Sequence, residues 1–133
     1  MKEVSTRIRF IRWAIPPVLV LWTLLMLMAT LLPGSALPDA KLFSYDKVGH
    51  FAMFAGWTFF LGLYFIVYKE KTTINLYMLV IAGVLFGAII EGLQFLLPGN
   101  RTASWGDILA NTAGAVIAFL ALYPIKEYFK RLF

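Results

Sequence analysis

The chain has 133 residues, 61% of them hydrophobic and 14% charged, with a mean hydropathy of +0.80. Soluble domains average nearer half apolar and a quarter charged, so this chain has too little polar surface to cover a water-soluble globule. Its net charge of +5 could suit nucleic acid, but the basic residues gather at the ends of apolar stretches instead of forming one face, which argues against that partner. Cysteine is absent, which removes disulfides, thiolate ligands and a cysteine nucleophile.

Four stretches, 13–32, 48–68, 74–97 and 106–123, approach or exceed the ~18–20 apolar residues that cross hydrocarbon. The expected fold is all-α, a polytopic membrane protein with four transmembrane helices in a single domain over 1–133. The first stretch follows Lys2, Arg7, Arg9 and Arg12 and precedes Ser35-Ala36-Leu37, a layout that resembles a signal peptide. Its apolar run is longer than the ~7–15 residues of a signal core, so it reads as an uncleaved first helix. Pro16-Pro17 falls near the expected helix start, where a missing N–H costs least, and Pro33-Gly34 stops the helix.

Ser44 is placed to cap the second helix, and the link over 69–73 is short enough to force an antiparallel hairpin with the third. Pro98-Gly99 stops helix three, and Ser104 with Asp107 reads as a capping box opening helix four. Small residues repeat at four-residue spacing: Ala52/Gly56, Gly83/Gly87, Ala88/Gly92 and Ala110/Gly114/Ala118. Such stripes permit close helix contact in lipid, either within one chain or between two copies.

Positive charge marks cytoplasmic ends. The N-terminus, the 69–71 link with Lys69 and Lys71, and the tail with Lys126, Lys130 and Arg131 are basic. The 33–47 loop balances Lys41 and Lys47 against Asp39 and Asp46, and the 98–105 loop holds Arg101 alone. Four helices with both termini in the cytoplasm satisfy all five regions.

Glu91 lies inside an apolar span where a charge is costly unless it meets a cavity or a partner. It sits roughly 9 Å from the expected outer end of helix three, with Gln94 on the same face. Asn111 and Asp107 share a face of helix four, as do His50 and Asp46 on helix two. Three helices therefore present polar groups in one outer third of the bilayer, which points to a small wet pocket open to the outer face.

Each residue also has a plainer reading. Asp46 and Asp107 can serve as helix caps, His50 as a hydrogen-bonded packing residue, and Asn111 and Gln94 as helix bridges. Glu91 can form a buried ion pair with Arg101 or Lys47. Trp57, Phe59 and Phe60 read as lipid-facing or interfacial.

The runs Tyr45-Asp46-Lys47-Val48-Gly49-His50-Phe51, Glu91-Gly92-Leu93-Gln94 and Arg101-Thr102-Ala103-Ser104-Trp105-Gly106-Asp107, followed by Asn111 and Gly114, resemble the VanZ-like family. The resemblance covers nearly the whole chain. It implies a protein of the bacterial cytoplasmic membrane, from a family whose founding member is associated with resistance to the glycopeptide teicoplanin. A suggested likeness of the family to membrane-embedded lipid enzymes would make the polar cluster a site of lipid head-group chemistry.

Three functions fit these residues. In an enzyme, His50 would be general base or nucleophile, oriented by Asp46, with Glu91 as acid or proton relay and Asp107 completing the catalytic set. Lys47 and Arg101 would hold a phosphate of a lipid or lipid-linked envelope precursor, with Gln94 and Asn111 also contacting substrate. Glu91, His50 and Asp107 could instead ligate a divalent metal, although their spacing does not demand one. A non-catalytic binder would use the same pocket, and a structural network would use it only to fix helix packing. A transporter fits least, because no polar group continues the path toward the cytoplasm.

Overall fold

The computed structural model describes residues 2–32, 46–97 and 104–132, and the side chains of all of these except 2–7 and 46. Four helices make up nearly all of it: α1 (Lys2–Leu31), α2 (Asp46–Leu63), α3 (Leu76–Leu96) and α4 (Trp105–Lys130). A π-helical turn, Tyr64–Tyr68, extends α2. Each helix contains a segment long and apolar enough to cross a membrane: Ile8–Leu31, Lys47–Tyr68, Leu76–Leu96 and Trp105–Lys130. No strand occurs among the described residues.

Helices α1 and α4 outrun their expected limits. α1 begins at Lys2, which puts Pro16 and Pro17 in its interior and not near its start. α4 passes Pro124 and ends at Lys130. The prolines interrupt backbone ladders that tertiary packing preserves, as membrane helices commonly allow. Lys126 gains from the extension, donating Nζ to the Ile74 carbonyl at 2.7 Å and tying α4 to the α2–α3 connection.

That connection also has local anchors. Lys69 N–H donates to the Tyr64 carbonyl at 2.9 Å, closing the π-type turn. Glu70 then takes φ 54, a left-handed conformation uncommon for a residue with a Cβ, and pairs with Arg12 from α1. Asn75 Oδ1 accepts the Tyr77 N–H at 3.0 Å and caps α3. The short link thus yields the antiparallel hairpin expected of it.

Small residues set the closest approaches. A Cβ on Gly114 would overlap the Phe51 carbonyl oxygen and lie 2.8 Å from Ala55 N, so α4 meets the backbone of α2 directly. Gly83 faces Thr58 and Ala115, and Gly87 faces Asn111, which draws α3 against both neighbours. The Ala88/Gly92 stripe is exposed, and nothing lies within 4 Å of where a Gly92 Cβ would stand.

Two apolar clusters flank this contact zone. Ile15, Ile66, Val67, Leu76, Leu79 and Leu122 pack toward the end carrying the termini. Met26, Phe54 and Ile90 join α1, α2 and α3 in the other half. Trp57, expected to be lipid-facing or interfacial, is half-buried and packs on Phe86 with ring centroids 4.7 Å apart. Phe60 packs on Trp22 at 5.5 Å, and Trp22 Nε1 donates to the Met53 carbonyl at 3.0 Å. The glycine contacts bring the helices close enough for these rings to fill seams between them.

Candidate functional site

The end of α1, the start of α2, the end of α3 and the start of α4 meet at the pole opposite the termini. His50 lies ~6 Å along α2 from its first residue, and Glu91 lies ~7.5 Å from the last residue of α3. Asp107 and Asn111 occupy one face of α4, ~3 and ~9 Å from its start. Their relative exposures are 2% for His50, 3% for Glu91, 2% for Asp107 and 1% for Asn111, so all four are withdrawn from the surface.

These side chains converge. His50 Nδ1 is 3.0 Å from Asn111 Oδ1 and 3.6 Å from Glu91 Oε1. One potential ligand atom from each of His50, Glu91 and Asp107 lies within 4.8 Å of the other two. Two carboxylates and an imidazole, carried by three helices, therefore share one buried centre. These are the residues available to hold a divalent cation, with the Asn111 oxygen beside them.

Glu91 also completes a helix cap. Ser104 Oγ accepts the Gly106 N–H at 3.1 Å, as an N-cap residue should. The other half of the expected capping box would be the Ser104 N–H bonded to Asp107. That N–H instead donates to Glu91 Oε2 at 3.3 Å, and Asp107 turns into the buried centre. The start of α4 is consequently locked to the end of α3.

Gln94 closes a third helix end. Its Nε2 donates to the Thr30 carbonyl at 2.7 Å, serving one of the orphan acceptors in the last turn of α1. The Thr30 hydroxyl back-bonds to the Met26 carbonyl at 2.7 Å and is equally buried. The amide nitrogen of Gln94 thus bridges α3 to the backbone of α1, in keeping with the plainer reading of this residue as a helix bridge.

Of the remaining expected residues, Lys47 lies near the start of α4. Lys47 is exposed, and its Cε would stand 2.5 Å from a Cβ on Gly106, so its stem runs over the glycine. Among the described residues, Arg12–Glu70 and His50–Glu91 form ion pairs within 4.0 Å, and Lys47 is in neither. Asp46 begins α2 one turn from His50, but its side chain lies outside the described part, as do Arg101 and Ser44 altogether.

Thr58, a further polar residue on α2 not among the expected site residues, is fully buried beneath the centre, its hydroxyl facing Gly83. Its position eight residues after His50, on the approximate heading of that side chain, was the available signal. A separate apolar groove of about 300 Å³ runs along Trp22, Gly56, Phe60 and Ala121, and no residue of the polar centre lines it.

Four long apolar helices around a recessed acid–imidazole centre define a multi-pass membrane protein with a polar site near one pole. The VanZ/LLP1 family matches residues 13–127, and the chain belongs to that family. Neither the curated proteins nor the solved structures contain a significant match.

Proposed function

We propose that the centre formed by His50, Glu91, Asp107 and Asn111 takes up the head group of a membrane lipid or lipid-linked envelope precursor. The reading places the site toward the extracytoplasmic face of the bacterial inner membrane, following the basic N-terminus, 69–71 link and C-terminal tail. One observation carries it: ionisable groups from three helices, each nearly inaccessible, come within 4.8 Å of one another. Placing an acidic residue within a membrane span carries a free-energy cost even on the lenient insertion scale. Helix packing does not require that expense, because Gly83, Gly87 and Gly114 already bring α2, α3 and α4 together.

The residues support chemistry as well as capture. His50 lies beside two oxygen acceptors, Asn111 Oδ1 and Glu91 Oε1, which can orient the ring and stabilise it when it takes a proton from an attacking group. Lys47 at the rim, together with Arg101, supplies positive charge for a phosphate. Modifying or sequestering a precursor would give the protein a route to glycopeptide resistance.

Lipid retention tests the reading. Wild type and His50→Ala are extracted from bacterial membranes and compared by native mass spectrometry. Wild type should hold one lipid class that the variant loses, and equal retention of every class by both would contradict the proposal. The bonds from Ser104 to Glu91 and from Gln94 to Thr30 favour a second reading, in which the polar groups chiefly fix helix ends. That reading requires each substitution to lower the melting temperature.

A further inference from the structure

We propose that His50, Glu91, Asp107 and Asn111 form a site for one divalent first-row transition cation of the Mn²⁺ or Zn²⁺ type. The inference deepens the head-group reading and changes the part of His50 from proton carrier to ligand. Only the use of the cation rests on that reading, since its binding stands on the geometry alone.

The separations support a shared ion. Two ligands bound to one small cation at ~2.0–2.2 Å lie about 3.0–3.6 Å from each other. His50 Nδ1 is 3.0 Å from Asn111 Oδ1 and 3.6 Å from Glu91 Oε1. The second distance is long for a hydrogen bond but fits a pair of ligands. Asp107 brings a carboxylate oxygen within 4.8 Å of the His50 and Glu91 ligand atoms. Cation binding requires the imidazole proton to sit on Nε2, so that the Nδ1 lone pair faces the oxygens.

A second observation concerns how the donors are held. The Ser104 N–H holds Glu91 Oε2, which directs Oε1 toward the centre. Gly87 admits Asn111, because a Cβ there would approach Asn111 Nδ2 to 2.9 Å. Fixing ligands through outer contacts is how proteins build metal sites. One imidazole with three oxygens suits Mn²⁺ or Zn²⁺ better than Ca²⁺, and no thiolate is available for softer ions. Bound there, the cation would take a phosphate oxygen of the head group as a further ligand.

Mn²⁺ itself is the probe. Full-length protein in detergent is titrated with Mn²⁺ and followed by electron paramagnetic resonance, with electron spin-echo modulation reporting a coordinated ¹⁴N. Wild type should bind one Mn²⁺ that Zn²⁺ displaces, with nitrogen modulation that His50→Ala abolishes. Asp107→Asn should weaken binding at least tenfold, whereas Asn111→Asp should preserve or tighten it. Melting curves identify variants that have unfolded. Nitrogen modulation that survives in folded His50→Ala, or no binding above that of empty detergent, would overturn the cation site. Lipid retention that persists in EDTA would leave the head-group reading standing and deny the cation its role there. Mn²⁺ bound with no lipid retained would do the reverse.

Discussion

Glu91 on α3 accepts the backbone N–H of Ser104, the N-cap of α4, at 3.3 Å, so a buried carboxylate near the membrane end serves as one half of a helix cap. The same side chain reaches His50 through its other oxygen at 3.6 Å. Structure and candidate chemistry therefore meet in one residue, and substitutions can separate them. Glu91→Gln keeps an oxygen for Ser104 and should melt close to wild type while losing head-group activity. Glu91→Leu removes the acceptor and should cost about 1 kcal/mol, typical of a lost cap, in detergent unfolding.

Gln94 should behave as a structural residue. Gln94→Ala leaves the Thr30 carbonyl without its donor and should destabilise by about 0.5–1.5 kcal/mol. Gln94→Glu should be worse, because it turns an acceptor toward another acceptor. Steady-state unfolding of the two variants checks the order. Alanine melting below glutamate would show that the amide is not holding α1.

The two kinds of glycine on the α3 and α4 surfaces should respond oppositely. Gly114→Leu drives a side chain into the backbone of α2 at Phe51 and Ala55 and should cost at least ~1–3 kcal/mol, the usual range for overpacking. Gly92→Ala adds a methyl where nothing stands nearby and should stabilise α3 by about 0.5–1 kcal/mol. Thermal denaturation in a common detergent compares them. Equal losses at both positions would mean that the exposed Ala88/Gly92 face is itself a packing surface.

The absence of cysteine makes topology simple to test. Trp105 lies at the pole of the polar centre and Lys71 at the opposite end, and both are exposed. A membrane-impermeant maleimide should label Trp105→Cys in intact cells and Lys71→Cys only after permeabilisation. The reverse pattern would put the pocket on the cytoplasmic side.

Much of this architecture was legible in the residues. Four apolar runs separated by Pro-Gly and charged links leave little choice but four helices, and Glu91, His50, Asp107 and Asn111 stand out as polar groups within those runs. Their convergence follows from similar depth and a shared small-residue seam. Gln94 was harder to place, because its partner is the Thr30 backbone carbonyl, and sequence does not tell which side chain reaches an orphan acceptor. The capping box was half right for a similar reason. Ser104 caps α4 as its position suggests, but a carboxylate thirteen residues earlier in the chain occupies the place expected of Asp107. The contact of Trp57 with Phe86 was not legible, because hydropathy cannot separate lipid from an apolar seam and the contact is purely tertiary.

The most direct test of the central claim is head-group turnover in liposomes of bacterial lipid extract, followed by mass spectrometry. Wild type is compared with Glu91→Gln of matched melting temperature, with Mn²⁺ present and again with EDTA. The account predicts that one lipid or lipid-linked species is bound or converted by wild type alone. Identical lipid profiles and identical lipid retention for the two proteins would contradict it and leave the buried centre a device for joining helix ends.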